Sequence, residues 1–175
     1  MSGAYRIPGK GRLTPAKTLR FSFDGEKLTG LEGDTLASAL LANGIHLTGR
    51  SFKYHRPRGI IAAGPEEPNA LMQISRDAVR TQPNVRATCQ ELYDGLNAKS
   101  QNRWPSLTLD IGAVNNLASP LFAAGFYYKT FMWPKFAWKK IYEPNIRAAA
   151  GLGHAPTEAD PDHYANRFAH CDVLI

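Results

Sequence analysis

Leu19, Phe21 and Phe23 alternate with Arg20 and Ser22, the period of a strand with one buried face. Asp24-Gly25 follows, a dipeptide suited to a two-residue turn, and Lys27 to Leu31 return as a second strand, so a β-hairpin is predicted. In GDTLASALLANGI the period lengthens. Leu36, Ala39, Leu40 and Asn43 recur at helical spacing, Asp34 stands where an N-cap belongs, and Gly44 stands where a left-handed C-terminal residue belongs. A helix over 35–43 is expected. Alternation returns at Ala70, Met72 and Ile74 and again at Val85, Ala87 and Cys89, while QELYDGLNAKSQ drifts toward helical spacing through Leu92 and Leu96. Hairpin, helix, loop, strand, strand is an α+β order in which a short helix crosses a small mixed sheet, and a β-grasp domain over 18–95 is the economical architecture.

The flanks carry different patterns. Residues 1–17 are basic and punctuated by Pro8, Gly9, Gly11 and Pro15, which predicts a flexible or draped arm. Residues 96–153 form an aromatic-rich extension of helical and irregular structure. Within it, Pro134 suits the start of a helix carrying Phe136, Trp138, Ile141 and Tyr142, and Pro144 interrupts or kinks that helix before Gly151. So many rings in one window fit an intramolecular or intersubunit contact better than a membrane surface, because Pro120, Pro134 and Pro144 divide any long apolar face. Residues 154–175 read as a polar linker that ends on Asp172, Val173, Leu174 and Ile175. That apolar run suits either an added strand of the preceding sheet or the first strand of a following parallel α/β domain.

Composition narrows the chemistry. The 175 residues include 21 Lys and Arg against 15 Asp and Glu, a net charge of +6 that favours an anionic partner. Cys89 and Cys171 are the only cysteines, so neither a disulfide framework nor a four-thiolate metal site is available, and a reducing, cytoplasmic setting is expected. No signal peptide and no apolar run of about 18 residues is present, so a soluble protein is expected. His154, His163 and His170 lack metal-ligand spacing, and no Ser-His-Asp or Cys-His constellation exists; Cys89 is expected as a buried structural thiol. Asp160 and Asp162 around Pro161 read as a turn. No catalytic residue and no metal ligand is assigned.

The candidate site is RSFKYHRPRG, residues 50–59, where Arg50, Lys53, Arg56 and Arg58 stand among Phe52, Tyr54 and His55. Like charges within one Debye length, about 8 Å, are costly to crowd unless an anion sits among them. Glu66 and Glu67 are expected to supply part of that charge. The arginine forks suit phosphate or carboxylate, so Arg50, Lys53, Tyr54, His55, Arg56 and Arg58 are read as a cofactor-anion or subunit-interface site. A nucleic-acid grip is the competing reading, disfavoured because no recognised motif surrounds the stretch; a solvated basic loop is the bland one.

Several blocks together are odd enough to carry a family resemblance. GDTLASALLANGI, GRSFKYHRPRGI, EEPNALMQI, ELYDGL, SQNRWPSL, AGFYYKTFMWP and YEPNIRAAAGLG resemble the N-terminal region of the α subunits of heterotetrameric sarcosine oxidases, over about 18–175. The resemblance implies a β-grasp module of the 2Fe-2S ferredoxin type. In that type the cluster sits in the loop after the helix on closely spaced cysteines, but none lies between Gly44 and Val85 here, and His46 and His55 are poor substitutes. Cluster binding is therefore disfavoured. It further implies that HCDVLI opens a Rossmann-type dinucleotide domain, making this a partial chain whose full subunit binds NAD and folate. Flavin (FAD or FMN) and zinc are expected on partner subunits of a complex that oxidatively demethylates sarcosine, with this segment a structural and interface module without turnover of its own. The alternative is a free-standing basic module that binds nucleic acid or another polyanion. An autonomous 2Fe-2S electron carrier comes third.

Overall fold

The computed structural model describes residues 3–7, 9–11, 13, 17–117, 119–121, 133–149 and 151–173. Strands β1 (Thr18–Phe23) and β2 (Glu26–Leu31) form the expected hairpin, with Phe23 opposite Glu26. Both residues of the turn have positive φ, 48° at Asp24 and 89° at Gly25, the type I′ geometry whose twist matches that of the strands. Helix α1 (Leu36–Ala42) follows, and its buried stripe of Leu36, Ala37, Ala39 and Leu40 lies in the core. Its N-cap is Thr35 and not the expected Asp34: Thr35 Oγ1 accepts the Ser38 N–H, and Ser38 Oγ accepts the Thr35 N–H, both at 3.1 Å. Asp34 is occupied elsewhere. Its carboxylate accepts the Leu31 N–H at 2.8 Å and the Ser38 hydroxyl at 2.7 Å, and it pairs with Arg6.

Two short strands, β3 (Gly49–Arg50) and β4 (Pro57–Arg58), pair as an antiparallel ribbon after the helix. Strands β5 (Leu71–Ser75), β6 (Thr81–Arg86) and β7 (Leu96–Ser100) complete a five-stranded sheet of order β2-β1-β7-β5-β6. Only the β1–β7 pair is parallel, Phe21 opposite Leu96, and this mixed order is that of an α+β, ferredoxin-like β-grasp fold. The helical drift expected around Leu92 and Leu96 is thus corrected to a turn and the central strand. Leu92 and Leu96 are four apart and both buried, but Gly95, at φ 82°, turns the chain between them. Phe21, Phe23, Leu36, Leu40, Met72 and Leu96 are among the large members of one core between α1 and the sheet. Burying side chains of this kind contributes about 1.5–3 kcal/mol each relative to exposure.

Two described residues of the N-terminal segment contact the domain. Tyr5 N–H donates to Ala42 O at 3.1 Å, the Tyr5 ring meets His46 edge-on at 5.9 Å, and Arg6 reaches Asp34. After β7, a 3-10 turn spans Ile111–Asn116, and a π-turn at Trp138–Tyr142 runs into α2 (Glu143–Ala149). The winding changes next to Pro144, the second residue of α2, which follows the π-turn directly. Phe122, Phe126, Tyr127, Tyr128 and Phe131 of the aromatic window lie outside the described residues, as do Leu174 and Ile175 of the terminal apolar run; Asp172 and Val173 are exposed and unpaired in any strand. Among the described residues no helix is long and apolar enough to cross a membrane.

Candidate functional site

The basic stretch folds back on itself because β3 and β4 pair and His55 turns the chain with φ 51°. The six candidate residues then divide into an inner and an outer set. Arg50 and His55 face inward. Arg50 Nε donates to Leu107 O at 2.9 Å, Nη1 donates to His55 O at 3.1 Å, and Nη2 also reaches Leu107 O, so its fork is spent on carbonyls of the protein itself. His55 Nδ1 lies 2.6 Å from Asp110 Oδ2, and Arg50 Nε is 4.0 Å from the same oxygen.

Asp110 is the carboxylate beneath the basic ribbon. It is buried, it accepts the Trp104 and Gly112 N–H groups at 3.1 and 3.0 Å, and it caps the 3-10 turn. Glu66 and Glu67, expected to supply this charge, do otherwise. Glu66 accepts the Gly64 N–H at 3.0 Å, and Glu67 is consumed by backbone amides of its own loop. Sequence reasoning missed Asp110 because it lies 55 residues from His55, although Asp-Ile-Gly before a short helix is a readable cap signal. Gly112 packs directly against the His55 ring, where a Cβ would collide with it.

Lys53, Tyr54, Arg56 and Arg58 form the outer set. Lys53 Nζ is 5.0 Å and Arg56 Cζ 4.8 Å from the Tyr54 ring centroid, so both cations lie within cation–π range of one ring. Arg56 also donates to Asn116 Oδ1 at 3.1 Å from Nη2, which fixes its guanidinium in an exposed position. Arg58 is exposed and, among the described residues, has no side-chain hydrogen bond or ion pair; it lines an open cleft of about 480 Å³ with Arg50, Phe52, Ile61, Asn69 and Gln101. Beside this ribbon Trp104, Leu109, Ile111, Val114 and Leu117 are all exposed.

The remaining reactive groups gather into no site. Cys89 is exposed, a correction of the buried thiol expected, because it follows the end of β6 in a turn where its N–H donates to Arg86 O. His154, His163 and His170 are exposed, and Cys171 is exposed as well. Asp162 belongs to a different task. With Asp77 it brackets Arg80, at 2.8 and 2.5 Å; the guanidinium holds the Asp162 carboxyl below the usual range, and the Arg80 backbone N–H, followed by the guanidinium, does the same for Asp77.

Residues 16–103 match the family described as "2Fe-2S iron-sulfur cluster binding domain". The residues do not fit such a cluster. Four thiolate or imidazole ligands are needed, yet both cysteines are exposed and, among the described residues, no group of three His, Cys, Asp or Glu is placed to hold a metal. The buried polar side-chain atom left without a partner there is Thr48 Oγ1, a hard oxygen unsuited to iron-sulfur chemistry. Among curated proteins, the sarcosine oxidase subunit alpha of Rhizobium meliloti is 63% identical over 98% of this chain and 17% of that protein. The sarcosine oxidase subunit alpha of a Corynebacterium strain is 43% identical over 50% of this chain and 9% of that protein. The chain therefore spans under a fifth of the length of either relative. A solved L-proline dehydrogenase from P. horikoshii aligns over 49% of this chain and 16% of its own, with 28% identity and a TM-score of 0.39. Fold, matched domain and relatives agree: the chain belongs to the 2Fe-2S iron-sulfur cluster binding domain family, and within it is similar to the N-terminal region of sarcosine oxidase alpha subunits.

Proposed function

We propose that this chain is an N-terminal structural and interface module of a sarcosine-oxidase-type alpha subunit, serving a flavin-dependent complex that oxidatively demethylates sarcosine. The observation that carries the reading is the cationic ribbon, with Lys53 and Arg56 5.0 and 4.8 Å from the Tyr54 ring and with Trp104, Ile111 and Leu117 exposed. Such a surface offers an acidic partner fixed charges whose ordering cost has been met in advance. In this reading the β-grasp unit and the aromatic extension together dock against a flavin-bearing subunit, and 154–175 leads toward a dinucleotide-binding region. NAD, folate, flavin and zinc sit on other regions or other subunits, and the setting is cytoplasmic.

The test is a double charge reversal, Arg56→Glu with Arg58→Glu, in the intact subunit co-expressed with its partners. Affinity for the flavin-bearing subunit is expected to fall roughly 10-fold or more, with flavin content falling in parallel and the far-UV circular dichroism unchanged. Full retention of both subunit and flavin overturns the reading. Salt-sensitive retention on a polyanion resin with no partner present supports the free-standing basic module instead.

A further inference from the structure

The matched family and the donor set disagree, and the loop in question is closed in its own way. Glu67 is 1% exposed. Its Oε2 accepts the Ile61 and Ala62 N–H groups at 2.8 and 2.7 Å, and its Oε1 accepts the Asn69 N–H at 2.7 Å. Both oxygens are thus engaged by backbone from two sides of the loop. Burial pushes this carboxyl up, but the amides of Asn69, Ala62, Ile61 and Ala70 outweigh it and hold the group below the usual carboxylate range. Around this centre Glu66 accepts the Gly64 N–H, and Thr88 Oγ1 donates to Gly64 O at 2.7 Å, tying the loop to the end of β6.

A 2Fe-2S cluster is also a buried anion, bridging distant parts of its loop and accepting N–H hydrogen bonds on its sulfurs. Loop amides need such an acceptor once water is removed, since each unsatisfied donor costs about 1–3 kcal/mol. From this juxtaposition we infer that Glu67 is the loop's built-in anion: its carboxylate takes over the charge and the cross-bridging that a cluster supplies elsewhere in the family. The loop is then complete without metal, and its amides are already spoken for. This inference does not rest on the assembly proposed above and is tested on the chain without partners.

In the labelled 175-residue wild-type chain, scalar couplings across the hydrogen bonds from the Ile61, Ala62 and Asn69 amide nitrogens to the Glu67 carboxyl carbon are expected. Their absence overturns the inference even where variants fail to fold. Glu67→Gln is expected to speed amide exchange at Ile61, Ala62 and Asn69 roughly 10–100-fold while the amides of β1 and β7 keep their protection. Unchanged exchange at those three amides overturns the assignment. Anaerobic incubation of wild type with ferrous iron and sulfide is expected to leave the couplings in place and no iron bound after gel filtration. Stable uptake of iron and sulfide with visible charge-transfer bands overturns the claim that the loop is complete.

Discussion

Two buried carboxylates decide the local chemistry, and they differ in how they could be found. Glu67 stood in view beside the basic stretch, yet its charge is turned inward to amides and away from arginines, a choice that only side-chain direction reveals. Asp110 stood far along the chain and becomes the neighbour of His55 and Arg50 only when residues 104–116 lie under the ribbon. Of the six basic-stretch candidates, Arg50 and His55 are structural ties, Lys53 and Arg56 lie near the Tyr54 ring, and Arg56 and Arg58 are exposed. A pH prediction belongs to Glu67. Its folded carboxyl is held below the ordinary value of 4.5, so its contribution to stability is present above that pH and is lost as pH falls through the folded value. The stability gap between wild type and Glu67→Gln, read from urea unfolding, is therefore expected to be widest at neutral pH and to narrow below about 4.5; a gap constant with pH would contradict this.

At the scale of elements, local period was a reliable guide where an element's burial depends on one face. The β1–β2 hairpin follows from alternation and from a turn dipeptide that tolerates positive φ, and α1 from its apolar stripe. The cap of α1 differs by one residue from the expected one: Asp34 and Thr35 are both good cap types, but the Asp34 carboxylate is engaged by the Leu31 N–H, the Ser38 hydroxyl and Arg6. Thr35→Ala should therefore cost about 1 kcal/mol, whereas capping by Asp34 would have made it nearly silent; thermal or urea unfolding separates the two. The tail from 154 to 173 has little packing of its own, and Arg80 between Asp77 and Asp162 is its side-chain ion-pair anchor among the described residues. Arg80→Ala is expected to raise protease cleavage within that tail while leaving the melting temperature of the sheet unchanged, because the anchor is exposed and solvent-screened.

Across the whole molecule the sheet is organised by a strand that the sequence disguised. β7 joins the hairpin to the β5–β6 pair, and Leu96, fully buried, sits opposite Phe21 from 75 positions away. Leu96→Ala should cost about 2–5 kcal/mol in urea unfolding, the range for a large cavity in a core that cannot collapse, and a loss under 1 kcal/mol would mean that this strand is not the centre of the core. The amino-acid sequence by itself determined the α+β class, the hairpin, the helix and the absence of a thiolate set, because these depend on period and residue type within a dozen positions. Only the tertiary structure decided the central strand, the pairing of Asp110 with the basic ribbon, the inward turn of Glu67 and which cations remain outward. The central strand and the Asp110 contact are meetings between segments far apart in the chain, and the turn of Glu67 is a side-chain direction within one loop, settled by where a buried charge finds donors.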